Sequence, residues 1–178
     1  FGILFFTVRD YGINWDEPVH YIRGQAYLRY FLTGKDNYSD LFPVRRSIYQ
    51  YDGGYRGTFQ WFLQNDSGHP PLNGILASLS NFIFFQKLGL LGDIESYHLF
   101  TVTMSSILVG AVFLFTASYF GIFSGLIAAL SLFLLPLFFA ESHFNIKDPV
   151  EAAFYSLTLF AFYVGIIKGK WKWIIISG

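Results

Sequence analysis

An all-α, multi-pass transmembrane helical bundle, with amphipathic juxtamembrane helices in a large first outer loop, is the fold this chain predicts. Three observations lead there. Of 178 residues, 53% are hydrophobic and 21% aromatic, while only 13% are charged. An ordinary soluble domain carries about twice that share of charge. The mean hydropathy is +0.42, and the apolar residues fall in runs approaching the roughly 20 that a bilayer crossing demands. The turn-forming and charged residues concentrate instead in residues 9–69. A net charge of +0 leaves no basic footprint for nucleic acid. The absence of cysteine excludes disulfides and thiolate metal sites.

Residues 1–8 are expected to be the outer end of a first span, too short to cross by themselves. The outer loop, 9–69, is organised around YGINWDEPVHYIRGQAYLRYFLT, Tyr11 to Thr33. Pro18 fits the first turn of a helix and Asp16 its N-cap. Val19, Ile22, Ala26 and Tyr30 then share one helical face, with Tyr21, Leu28 and Leu32 roughly opposite. Such a helix needs two apolar neighbours, lipid headgroups on one side and protein on the other. Gly34 to Asn37 read as its C-cap and turn. Two short surface helices are expected at Leu41–Gln50 and Tyr55–Leu63, separated by Asp52-Gly53-Gly54. Trp61 and the tyrosines suit an interfacial belt.

His69-Pro70-Pro71-Leu72 closes the loop and opens the hydrophobic half. Spans are expected at 97–119, 121–140 and 149–167, with 173–178 beginning another. Lys168, Lys170 and Lys172 follow the third, and the positive-inside rule puts them in the cytoplasm. Counting back, 141–148 lies outside and 92–96 also outside. Residues 70–91 must then start and finish on one face. This stretch is interrupted by Asn73, Ser78, Ser80, Asn81, Gln86 and Lys87, so a shallow or re-entrant helix is expected there. The chain reads as an N-terminal piece of a longer protein, inactive alone.

Two acidic groups share the outer side in this layout: Asp16/Glu17, and the loop ESHFNIKDPVE from Glu141 to Glu151. Each has a plain structural explanation. Asp16 can cap its helix, and Asp148, Pro149 and Glu151 match a capping box. Capping does not account for Glu141, His143 and Lys147 crowding the same short loop. Ionisable clusters beside a membrane are functional-site candidates.

Three signatures therefore stand in fixed order: WDEPVHY, GHPPL and HFNIKDPVEAAFYSLTLFAFY. Their order and spacing resemble the C-type (GT-C) membrane glycosyltransferases. The likeness is nearest to the branch of families 39 and 83, with protein O-mannosyltransferases and aminoarabinose transferases, and more distant to oligosaccharyltransferase catalytic subunits. It runs through essentially the whole chain and implies a GT-C-like fold. It also implies transfer of a sugar from a polyprenyl-phosphate donor to a protein or lipid acceptor. The expected setting is an integral multi-pass protein of a bacterial or archaeal plasma membrane, with its site facing outward.

By this resemblance Asp16 matches the first-loop carboxylate, a general base or acceptor-positioning group, with Glu17 as auxiliary and Asp148 as the second-loop acid. His69 stands where relatives carry a cation beside the donor phosphate, and Arg45, Arg46, Arg56 and Lys147 are further phosphate-binding candidates. Asp16, Asp148 and Glu151 offer hard oxygen ligands suited to Mg²⁺ or Mn²⁺. His20 and His98 are expected to hydrogen-bond or lie at the interface rather than bind ligand. The pattern also departs from its relatives. Gly68-His69 replaces the Glu-Lys of aminoarabinose transferases, and Asn73-Gly74 replaces the Gly-Lys that follows HPPL in mannosyltransferases. Asp148 and Glu151 are three apart rather than paired, so the acceptor stays open. The alternative is a transporter or channel subunit with an external acidic vestibule. Against it, the expected spans hold no charged residue except Glu151 near one end.

Overall fold

The computed structural model describes residues 1–41, 45–50, 55–66 and 69–178. The Asp52-Gly53-Gly54 separator lies outside these, as does Gly68 of the second signature. Among the described residues the regular structure is all helical, with no strand. α1 covers Gly2–Thr7, followed by a 3₁₀ turn at Val8–Asp10, and α2 covers Glu17–Thr33. α3 is Phe59–Asn65, and α4 is Leu72–Asn81, continued by a π-helical turn at Phe82–Lys87. α5 is Asp93–Phe120, α6 Ile122–Phe133, α7 Pro136–Phe144, α8 Asp148–Ile167 and α9 Trp171–Ser177. The chain forms two compact units, one of Gly2–Thr101 with His143–Ile146, the other of Val102–Ser142 and Lys147–Gly178 with Phe1.

In the first unit α2 runs between the expected ends. Gly34 closes it in the left-handed region at φ 69°, its N–H donating to the Tyr30 carbonyl. Its faces are not the apolar ones that the sequence suggests. Glu17, Arg23, Gly24 and Gln25 are buried with Tyr21, Ala26 and Leu28, while Val19, Phe31 and Leu32 are exposed. The helix packs its polar side inward because the partner, α4, brings Ser78 and Asn81, both fully buried. Gly24 and Gly74 make this crossing. A Cβ on Gly24 would lie 2.0 Å from the Gly74 carbonyl oxygen, and one on Gly74 would lie 2.5 Å from that of His20. Tyr21, Tyr49, Ala77, Tyr97 and Ile146 form the apolar core.

The expected helix at Leu41–Gln50 is replaced, over the described residues 45–50, by bends and a turn. Asp93 takes the Ile48 N–H at 2.8 Å, and the Ser47 hydroxyl meets the Tyr97 hydroxyl at 2.7 Å. Those long-range bonds hold the segment out of helical geometry. The helix expected at Tyr55–Leu63 starts only at Phe59, where Thr58 accepts the Trp61 N–H at 3.2 Å. Gly57, at φ 88°, keeps the preceding residues in a turn. Residues 70–91 form α4 and its π-helical extension, which do not reach the length and composition of a crossing helix. Gly89, at φ 62°, stops the π turn, its N–H donating to the Phe85 carbonyl at 3.1 Å.

In the second unit α5 and α8 are each long and apolar enough to cross a membrane. Phe115 stacks on Phe160 at 4.4 Å between them. The span expected at 121–140 is broken: α6 and α7 meet at 66°. Pro136 has no N–H to continue the α6 ladder, and it disfavours helical geometry at Leu135. α8 begins at Asp148, one residue earlier than a capping box requires. Lys147 takes the capping position, and its carbonyl accepts the Glu151 N–H at 2.8 Å.

Candidate active site

The start of α2 is fixed by the residue after the capping position. Asp16 occupies that position but makes no side-chain cap bond. Glu17 supplies the anchor, its carboxylate reaching back to the Asn14 N–H at 2.7 Å. The same carboxylate, wholly buried, accepts the Tyr21 hydroxyl at 2.5 Å and meets His98 Nε2 at 3.2 Å. Burial first, and then the negative charge of Glu17, hold the Tyr21 phenol protonated well above its usual range. Asp16 is thus half-buried at the end of a clamped helix, beside a Trp15 that is 95% exposed.

One turn on, His20 Nδ1 lies 3.1 Å from the Arg23 guanidinium. Arg23 is 2% exposed and contacts Asp66 through Nη2 at 2.6 Å and Nε at 2.5 Å. Asp66 follows α3, and its carbonyl accepts the His69 N–H at 3.1 Å. The His20 and His69 rings therefore stand edge to face, 6.5 Å apart. His69 itself is exposed. Local sequence dictates this arrangement: the two prolines after His69 start α4, and Gly74 lets α4 lie directly on α2.

The middle of the second acidic loop, His143–Ile146, belongs to the same unit. The His143 ring stacks on Tyr11 at 3.9 Å, and its Nε2 meets the Thr7 hydroxyl at 2.8 Å. The Ile146 carbonyl accepts from Asn73 Nδ2 at 3.3 Å. Residues of WDEPVHY, of the His-Pro-Pro-Leu segment and of HFNI are thereby gathered in one compact body.

A family comparison matches residues 68–178 to dolichyl-phosphate-mannose-protein mannosyltransferase. The chain belongs to that family. Neither a curated protein nor a solved structure matches it. Membership makes this a membrane glycosyltransferase that draws on a polyprenyl-phosphate-linked sugar, and it decides against the transporter alternative. The match covers the second and third signatures. The first, with Asp16 and Glu17, stands outside it and joins them through the packing just described.

The other candidate residues of the mannosyltransferase-like chain are dispersed. Arg45 and Arg46 serve the far side of α2. Arg45 Nη2 donates to the Lys87 carbonyl at 3.4 Å, and Arg46 lies over the Tyr38 ring and donates to the Gln50 carbonyl. Gln50 reaches Gln25, which is about 12 Å along the helix axis from Glu17. Arg56 is exposed in the turn before α3. Lys147, Asp148 and Glu151 belong to the second unit, with Asp148 and Glu151 exposed. Among the described residues no group of three or more His, Asp or Glu side chains could hold a metal ion. Of the carboxylates expected to hold Mg²⁺ or Mn²⁺, Asp16 belongs to the first unit and Asp148 and Glu151 to the second. Arg23 and Asp66 escaped the sequence reading, and His98, expected to hydrogen-bond, does so with Glu17. The polar spacing Glu17, Tyr21, Gly24, Gln25, which repeats at helical intervals, was the available signal for the buried side of α2.

Proposed function

We propose that the enzyme containing this chain transfers a hexosyl group, in the manner of a mannosyltransferase, to a hydroxyl acceptor at the outer membrane face. The packing of residues from WDEPVHY, His-Pro-Pro-Leu and HFNI in one compact unit supports this reading. Asp16 is the general base. It takes the proton of the acceptor hydroxyl as that oxygen bonds to the anomeric carbon, and the bond from that carbon to the phosphate oxygen breaks. The phosphate leaves with the electron pair, and a protonated His69 neutralises the growing charge. Glu17 acts as a positioning residue, since its hydrogen bonds are spent on Asn14, Tyr21 and His98. Asp148, two residues beyond the anchored Ile146, is the second-loop carboxylate, and Lys147 and Arg56 are additional cations for the phosphate.

Outward orientation follows if α5 and α8 are crossings and the lysines after α8 are cytoplasmic. The acceptor is a protein or lipid hydroxyl. The test is transfer from a polyprenyl-phosphate sugar by the full-length enzyme, with peptide and lipid acceptors in separate arms. Asp16→Asn should lower kcat by roughly 10²–10⁴-fold while the protein still inserts and melts normally. Unchanged turnover would remove Asp16 from the chemistry.

A further inference from the structure

We propose that the groove between α2 and the segment α4 to Lys87 binds the phosphate of an acidic phospholipid whose headgroup carries hydroxyls. The groove encloses about 240 Å³. Its apolar lining is Leu28, Leu32, Leu41 and Phe82, and its polar lining includes Arg29, Gln50 and Lys87. Leu32 in the groove, and Leu88 and Leu90 directly after Lys87 in the chain, are 57%, 55% and 65% exposed, apolar surface of the kind an interfacial lipid site offers.

Charge supplies the argument for a phosphate. The nearby acidic groups are already engaged. Asp40 holds Arg29 and Lys35, Asp36 takes the Gln60 N–H, and Asp93 takes Ile48 and Asn81. Arg45 and Lys87 have no ion pair among the described residues, and Arg45 Nε is buried without a hydrogen-bond partner among them. Arg45 borders the groove through its bond to the Lys87 backbone carbonyl, and the Lys87 ammonium lies over the Phe82 ring in the groove wall at 5.1 Å from its centroid. Gly89 makes room for this, because a Cβ there would sit 2.4 Å from Arg45 Cζ.

The headgroup hydroxyl answers a second observation. Gln50 Oε1 is buried and accepts no hydrogen bond among the described residues, while its Nε2 donates to Gln25 and Gln86. An acceptor aimed into a cationic groove asks for a donor carried by an anion. Phosphatidylglycerol has both parts.

The test counts lipid retained by the full-length, delipidated protein in native mass spectrometry. Phosphatidylglycerol is compared with phosphatidylcholine, a polyprenyl monophosphate and inorganic phosphate. Phosphatidylglycerol should bind in preference to the other three. Each cation near an anionic headgroup contributes about fivefold, so Arg45→Gln with Lys87→Gln should weaken binding about twenty-five-fold. Arg45→Lys with Lys87→Arg should keep most of it, and Gln50→Leu, assayed also with phosphatidic acid, should lose the parent's preference for phosphatidylglycerol over that lipid. The last two variants carry the test if the glutamine pair fails to fold. Undiminished binding by the glutamine pair, or equal retention of phosphatidylcholine, overturns the proposal. Displacement by polyprenyl monophosphate at equal concentration also overturns it, since the groove would then belong to the carrier.

Discussion

Glu17 and His98 lie 81 positions apart in the chain, yet their side chains meet at 3.2 Å with no exposure on either. The contact ties the first turn of α2 to the base of α5. Glu17→Ala would leave the Tyr21 hydroxyl, the Asn14 N–H and His98 without their acceptor. Each stranded polar group costs about 1–3 kcal/mol, so a loss of about 3 kcal/mol or more is expected, measured by thermal unfolding of the full-length protein. Glu17→Gln keeps an acceptor oxygen and should cost less. A melting point untouched by Glu17→Ala would show that the contact carries no stability.

Arg23 and Asp66 form the other buried anchor. Asp66→Asn leaves a guanidinium without its counter-charge in a site 3% exposed on the arginine side. Breaking such a pair from one side costs about 3–5 kcal/mol. Replacing both, as Arg23→Met with Asp66→Leu, should recover most of that loss in a double-mutant cycle. Simple additivity of the two single losses would contradict the pairing.

Gly24 admits no side chain. Its added Cβ would press on the Gly74 backbone, which cannot rotate away as a flexible side-chain end could. Gly24→Ala should therefore cost about 3 kcal/mol and open the segment after α3 to protease. Gly12→Ala, with nothing within 4 Å of the added atom, serves as the comparison and should cleave as the parent does.

The buried tyrosines set an alkaline limit. Burial first, and then the Glu17 charge, push Tyr49 up to about 12, and the same two causes hold Tyr21 well above its ordinary range. An unfolded chain releases these protons near pH 10. Folding stability is then fully present below about pH 10 and declines as the pH rises toward 12. Tyr49→Phe should make that decline shallower in chemical unfolding across this range. A spectrophotometric titration in which Tyr49 ionises near pH 10 in the folded protein would contradict the burial argument.

The sequence disclosed the helical class, both ends of α2 and the three signatures, because composition, Pro18 and Gly34 act locally. It did not disclose which side of α2 faces inward. Val19 and Ile22 at helical spacing suggested an apolar seam, whereas Glu17, Arg23 and Gln25 are buried through partners 43 to 81 positions away. The Leu41–Gln50 segment misled for the same reason, since its turn is dictated by Asp93 and Tyr97. The break before Pro136 was within reach, but the continuous apolar run over 121–140 masked it. Asp16 and His69 were legible through their signatures, while the ion pair linking their elements, Arg23 with Asp66, has no local mark.

A helix in a water-soluble protein is pressed onto its domain by its oily side. α2 reverses this: hydrogen bonds draw its polar side inward, while Val19, Phe31 and Leu32 face away. Where those side chains rest on lipid, as in an interfacial helix, its seating is strung between two solvents, a polar interior and the lipid around it. Stripping that lipid would loosen the helix bearing Asp16 without breaking a bond inside the protein.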